Sequence, residues 1–220
     1  MARMPRLVVP NYPHHVTQRG NRRMKTFFHD EDYRYYLELV SRYKSAVGVD
    51  IWGYCLMPNH VHFVAVPAEQ DGLANLFREV HRHYSRHINF RENWKGHLWQ
   101  ERFHSFVMDE RHLMATVRYV ELNPVKAKLC ERPEDWAWSS TRAHIQAVDD
   151  EIVTVAPMLE RVSNWNDYLM MDAREEEINA IRRCTSSGRP AGSKAFIQKL
   201  ENITGQTLTK KKPGPKPRIK

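Results

Sequence analysis

Cysteine is scarce and poorly spaced for structural use. Cys55, Cys130 and Cys184 are odd in number and far apart, so neither a disulfide framework nor a Cys-type zinc site fits. A reducing cytosol is the expected compartment. The first six residues, Met1 to Arg6, lack the apolar core of a secretion signal, and no apolar run approaches the length of a membrane span. No membrane partner is therefore expected. The two separated His-x-Thr or His-x-Ser motifs of a two-histidine phosphodiesterase are missing, which sets that hydrolytic chemistry aside. No internal repeat is present. What remains is a chain of 220 residues, enough for one ordinary domain with a real core and some additional structure.

Acid is also lacking in two places. From Arg182 to Lys220 there are eleven Lys or Arg and a single acid, Glu201, so this segment carries +10 in a chain whose net charge is +8. The remainder is slightly acidic overall. Within it, however, Arg3, Arg6, Arg19, Arg22, Arg23 and Lys25 all precede the first acid, Asp30. Two separated basic regions point to a polyanion, with nucleic acid ahead of a membrane because no amphipathic insertion helix accompanies them. A solvated charged tail is the plainer alternative for the C-terminal one.

The chain is organised around Pro58-Asn59-His60-Val61-His62-Phe63-Val64-Ala65-Val66. Pro58-Asn59 is a turn pair, and the run from Phe63 onward predicts a buried strand. Side chains alternate along a strand, so His60 and His62 share one face while Val61 and Phe63 share the other. Two imidazoles so placed could ligate a divalent metal, or could simply lie on the solvated side of a half-buried strand.

Around this stretch the periodicity predicts further elements. His14 to Gln18 forms a short strand that runs into Arg19-Gly20-Asn21-Arg22-Arg23, a turn whose guanidinium groups could fork onto phosphates. Tyr33, Tyr36, Leu37, Val40, Tyr43 and Val47 mark an amphipathic helix starting at Asp30 and ending at Gly48. Val49 to Met57 is a strand paired in a hairpin with the histidine strand. Leu73, Phe77, Val80, Tyr84 and Ile88 mark a second long helix, whose other faces carry Arg78, Arg82, His83, Arg86 and His87. Gly96 to Val107, with Arg102 in its middle, predicts a strand or bent strand pair. A third helix starts at Asp109 or Glu110 and is stopped by Asn123-Pro124. One or two helices follow over 153–181. This order predicts an α+β fold, a ferredoxin-like antiparallel sheet with helices packed on it. Residues 1–148 are expected to hold the catalytic domain and 149–187 a helical extension. Residues 188–220, including Arg189, Lys210, Lys211 and Lys212, are expected to form a basic, flexible DNA-binding tail with a short helical patch.

The third helix carries candidate partners for the histidine pair. At about 100° per residue, Asn123 falls about 40° from Tyr119, one turn on. Leu113, Val117 and Val120 form a separate apolar stripe that could hold the helix on the sheet. Asn123 can offer a carbonyl oxygen to a metal, and Tyr119 a phenol oxygen to whatever that metal binds.

His60-Val61-His62 resembles the signature of the HUH endonucleases. Together with Arg118-Tyr119-Val120-Glu121-Leu122-Asn123-Pro124-Val125-Lys126-Ala127, it is similar to the single-tyrosine transposases, specifically the REP-associated tyrosine transposases of bacteria. The likeness extends to residues 16–22, 98–103 and 188–193, in the same order. It implies an enzyme that cuts and rejoins single-stranded DNA at palindromic repeats folded as hairpins. Tyr119 would be the nucleophile that keeps the 5′ end as a phosphotyrosine, and His60, His62 and Asn123 would hold Mg²⁺ or Mn²⁺. Arg19, Arg22, Arg23, Arg82, Arg86, Arg102, Arg189 and Lys210–Lys212 would contact the DNA. A nucleoid-associated cytoplasmic protein, monomeric or dimeric, is the corresponding expectation. A hairpin-binding protein that has lost most cleavage activity is the rival reading.

Overall fold

A computed structural model describes residues 6–172 and 174–209. Its centre is a four-stranded antiparallel sheet of β1 (His14–Arg19), β2 (Val49–Met57), β3 (His60–Pro67) and β4 (His104–Val107), in the order β2-β3-β1-β4. α1 (Asp30–Ala46) connects β1 to β2, and α2 (Gly72–Arg91) connects β3 to β4. This β-α-β-β-α-β order with β1 and β3 central is the expected ferredoxin-like fold.

Strand alternation sorts the core into two layers. Val16, Ile51, Leu56, Val61, Phe63 and Ala65 face α1 and α2, where Tyr36, Leu39, Val40, Phe77, Val80 and Tyr84 close over them. Cys55, Met57, Val64 and Phe106 face the opposite way, onto α3 (Glu110–Glu121). α1 begins one residue earlier than a cap at Asp30 would place it. His29 is the N-cap, in a reciprocal capping box with Asp32, and Asp30, Glu31 and Asp32 fill the first turn, where the helix dipole favours negative charge. Only His104–Val107 of the predicted 96–107 strand pair joins the sheet; before it, the chain lies against the end of β1, with an isolated bridge between Gly20 and Trp99 and the Gln100 N–H donated to the Arg19 carbonyl.

The third helix also differs from expectation at its end. After a turn at Leu122 the chain coils again as α4 (Asn123–Lys126), with Pro124 in its first turn. Proline is tolerated there because the first helical N–H groups have no intrahelical acceptor. Asn123-Pro124 thus starts a new turn rather than ending the helical path, and Lys126 is carried back towards Tyr119.

The C-terminal third is more closely built onto the body than its composition suggests. α5 (Thr141–Gln146), α6 (Ala156–Leu159), α7 (Trp165–Met170) and α8 (Glu175–Ser187) follow. Met158, Trp165, Tyr168, Leu169 and Ile181 share the apolar cluster of Val64, Phe106 and Val117. Three short helices, rather than one or two, therefore cover 153–181. Residues 188–209 are folded, which corrects the flexible tail expected from 188. Ala191 lies parallel to Met108 beside the β4 edge, donating its N–H to the Val107 carbonyl and accepting from Asp109 N–H. α9 (Lys194–Thr204) then brings Leu200 and, beyond it, Leu208 onto Leu7, Val9 and Val107. The reason is plain in hindsight: a few apolar residues suffice when an open sheet edge and an apolar patch already await them. The expected Lys210, Lys211 and Lys212 contacts lie outside the described residues.

These contacts distinguish two truncations. A chain ending at Thr209 keeps the Leu200 and Leu208 contacts and should unfold at nearly the same urea concentration as the full chain. A chain ending at Ser187 uncovers Leu7, Val9 and Val107, and should lose several kcal/mol, since deleting one buried leucine side chain costs about 2–5 kcal/mol. Equal urea midpoints for the two truncations would contradict this packing.

Candidate functional site

The second sheet face, under α3, collects the histidines. In an antiparallel pair, directly opposed residues point to the same side. Arg19 opposes His60, Thr17 opposes His62, and His15 opposes both Val64 and Phe106. His15, which the sequence reading treated only as a strand residue, thereby joins the pair. Its ring lies parallel to that of His62, with centroids 5.1 Å apart and planes within 1°, and Nε2 of His15 is 2.9 Å from Nδ1 of His62. Phe106 closes the other side of His15 edge-on at 5.1 Å.

Tyr119 comes from α3. Its half-buried ring stands edge-on to His62 at 5.9 Å and to His15 at 6.5 Å. His60 meets His62 at 4.8 Å. The predicted nucleophile and both predicted histidine ligands are therefore assembled within one chain. The Tyr119 hydroxyl makes no hydrogen bond among the described residues.

The local electrostatics favour neutral imidazoles, because burial disfavours the cation. Burial, reinforced by the Arg19 charge, lowers the His60 pKa to about 4. Burial and then His60 lower that of His15 to about 3. His62 is pushed well below its ordinary value by burial and by the charges of His60, His15 and Arg19. All three present lone pairs at neutral pH, as metal ligation requires.

The hydrogen bonds indicate which lone pairs are free. His60 Nδ1 donates to Asn59 Oδ1 at 2.6 Å, which leaves Nε2 as the acceptor atom. Asn59 is itself tied to the arginine turn, donating from Nδ2 to the Arg23 carbonyl. Nε2 of His62 is buried with no hydrogen-bond partner. When His62 Nδ1 donates to His15, that Nε2 offers its lone pair, and His15 acts as the outer partner that orients a ligating histidine. Asn123 donates from Nδ2 to the Tyr119 carbonyl at 2.9 Å, so its Oδ1 remains available. Among the described residues no group of three or more His, Cys, Asp or Glu side chains could hold a metal. The donor set on offer is thus two neutral imidazoles, to which an amide oxygen could be added, and this fits a divalent cation with open positions.

A buried anchor positions the end of α3. Glu121 lies between Tyr119 and Asn123 in sequence and is fully buried. Its Oε1 accepts from Ser140 Oγ at 2.5 Å and from His144 Nδ1 at 2.6 Å, and its Oε2 accepts from Trp165 Nε1 at 2.8 Å. Sequence reasoning missed this cluster, because its members are separated by up to 44 residues.

The predicted DNA contacts divide by location. Arg19, Arg22 and Arg23 are exposed at the end of β1, and Arg22 and Arg23 hold positive φ angles of 52° and 61°. Arg102 is exposed and lines a cleft of about 550 Å³ with Asn21, His97, Trp99, Gln100 and Glu101. Arg82, bonded to Glu79, borders the same 96–101 loop from α2. Arg19 stands opposite His60, Arg22, Arg23 and Arg102 lie where the end of β1 meets the 96–102 loop, and Arg82 reaches that loop from the α2 side. Arg86 lies apart, with Tyr35, His83, His87 and Phe90. Arg189 donates to the Leu208 carbonyl and so fastens the C-terminal segment. No helix among the described residues is long and apolar enough to cross a membrane.

Residues 8–123, the sheet and α3 together, match the family model for IS200-like transposases. The chain belongs to that family of DNA-processing transposases. The transposase also shares its fold with a solved REP-associated tyrosine transposase bound to a REP hairpin, at 18% identity and a TM-score of 0.58, over 70% of this chain and 92% of that one. A protein from Deinococcus radiodurans R1 described as a transposase aligns at 18% identity and a TM-score of 0.39, over 55% of this chain and 96% of the other. No curated protein matches the transposase.

The anchor is open to a direct check. Glu121→Ala leaves Ser140, His144 and Trp165 without their acceptor and should cost about 3–5 kcal/mol of unfolding free energy, the range for breaking a buried charged network. Glu121→Gln should cost less. A loss below about 1 kcal/mol for the alanine variant, the scale of a surface ion pair, would show that the cluster does not hold α3.

Proposed function

We propose that this transposase is a single-stranded DNA endonuclease and strand transferase acting on hairpins of the repetitive extragenic palindrome type. Tyr119 is its nucleophile, and His60, His62 and Asn123 hold Mg²⁺ or Mn²⁺. The observation that carries the reading is the edge-on placement of the Tyr119 ring 5.9 Å from His62, whose buried Nε2 has no protein partner. Membership of the transposase family and the fold shared with a hairpin-bound relative support the substrate class.

Each residue has a definable task. The packing of α3 holds the Tyr119 phenol at the site, so that the attack needs little further ordering. Its oxygen forms the new bond to phosphorus while the bond to the 3′ oxygen breaks. The phenol gives up its proton as it attacks, and the leaving 3′ oxygen gains one. The phosphotyrosine ester retains the energy of the broken bond, so the reverse attack by a 3′-hydroxyl rejoins strands without ATP. Neutral His60 and His62, with Asn123, are the residues to bind a divalent ion, which when present offsets charge on the phosphoryl oxygens. Arg19, Arg22, Arg23 and Arg102, at the end of β1 and the loop beside it, are placed to guide the strand towards His60.

A denaturing gel with a labelled hairpin tests this reading. The full chain should form a covalent protein–DNA adduct only with Mg²⁺ or Mn²⁺. Tyr119→Phe should abolish it and leave hairpin affinity nearly unchanged, since one hydroxyl is lost. His60→Ala and His62→Ala should each lose it, with excess Mn²⁺ restoring it only in part. An adduct formed by Tyr119→Phe, or by the double histidine variant, would overturn the assignment. Hairpin binding with no adduct under any condition would favour the rival binding protein.

A further inference from the structure

Lys126 is not among the residues assigned so far, yet it faces the nucleophile. It lies seven residues after Tyr119 and three after Asn123, close to two helical turns from the tyrosine. The Leu122 turn and α4 preserve enough of that periodicity to set its Nζ over the Tyr119 ring, 5.3 Å from the centroid. Lys126 as a residue is exposed, but its ammonium leans inward over the aromatic face. It makes no ion pair among the described residues.

Arg118 and Arg182 are the charges that act on it, and both are cations. Together with partial desolvation, which is the larger influence, they hold the Lys126 pKa below its ordinary value. Arg118 is buried, reaches Glu177 only at 3.5 Å, and keeps an Nε without any partner. Arg182 has no carboxylate partner among the described residues. An ordinary surface lysine would be expected to extend into water or pair with an acid. An ammonium held over the Tyr119 ring with no acid partner among the described residues, on the helical path of a buried Arg118 whose Nε is unpaired, instead describes a place prepared for negative charge.

We infer that Lys126 binds the scissile phosphodiester, its ammonium donating to a non-bridging oxygen while Tyr119 attacks the phosphorus. This rests on the reading of Tyr119 as nucleophile. The lysine keeps its proton throughout: the bond from the Tyr119 oxygen to phosphorus forms, the bond to the 3′ oxygen breaks, and the ammonium offsets the charge on the oxygens that do not change partners. It would act in the same way on the phosphotyrosine in the rejoining direction. Arginine at this position could serve in part, as a bulkier cation with the same sign.

Two measurements separate this role from a structural one. In single-turnover adduct formation on a hairpin, Lys126→Met should slow the reaction roughly 100-fold, the scale for losing one preorganised donor at a developing charge. Lys126→Arg should recover most of that loss. In equilibrium binding on the uncleavable Tyr119→Phe background, the probe is the same hairpin with or without a neutral methylphosphonate at the scissile position. Neutralising that phosphate should weaken binding when Lys126 is present and have little effect with Lys126→Met. Additive losses, or an adduct rate for Lys126→Met equal to that of the unmodified chain, would overturn the inference and leave Tyr119 in place. Absence of any adduct from the unmodified chain would remove the nucleophile assignment, and this inference with it.

Discussion

Seating α3 on the sheet is the constraint on which the rest depends. Leu113, Val117 and Val120 pack against Cys55, Val64 and Phe106, and this one apolar contact decides where Tyr119 and Asn123 stand relative to His60 and His62. Burial of such side chains contributes about 1.5–3 kcal/mol each, so the helix cannot lift away without a large fraction of the molecule's stability going with it. Glu121 adds direction to that adhesion. Apolar packing alone tolerates some sliding, whereas a carboxylate held by Ser140, His144 and Trp165 accepts only one register.

The same face shows how a site can be built at the expense of local comfort. Three imidazoles lie within the second core layer, depressed towards neutrality by burial, and two of their nitrogens find no protein partner. Unsatisfied buried polar atoms cost about 1–3 kcal/mol each, so the rest of the fold offsets this cost. Nearby, the residues at φ 52° and 61°, Arg22 and Arg23, sit in a backbone region that is sparsely used outside glycine. Backbone strain and unpartnered buried nitrogens thus coincide at one edge of the sheet.

Much of the fold could be read directly from residue order. The strand pattern of residues 49–57 and 60–67 and the helical stripe of residues 30–47 are local signals, and each element lies within a residue or two of its expected position. The faces that carry His60, His62 and Tyr119 were also legible from strand alternation and helical spacing, whereas their roles come from the resemblance of their motifs. His15 was not, since its place depends on the β1–β3 register, a pairing between residues 47 positions apart. Glu121 and His144 were hidden for the same reason. The C-terminal segment misled in the opposite sense: its polarity suggested a free tail, but Ala191, Leu200 and Leu208 needed only the β4 edge and the Leu7–Val9 patch to become ordered. Lys126 was concealed by Pro124, which reads as a helix stop and instead begins another turn.

Tyr119, His60 and His62 lie together within a single chain, so the proposed site is complete in one molecule. Mixing two inactive variants tests it most directly. Purified Tyr119→Phe and His62→Ala chains, incubated together with a hairpin and Mn²⁺, should give no more adduct than either alone, because each molecule lacks one half of its own site. Restoration of the adduct by mixing would show that Tyr119 serves the histidines of another copy, and would contradict the single-chain site described here.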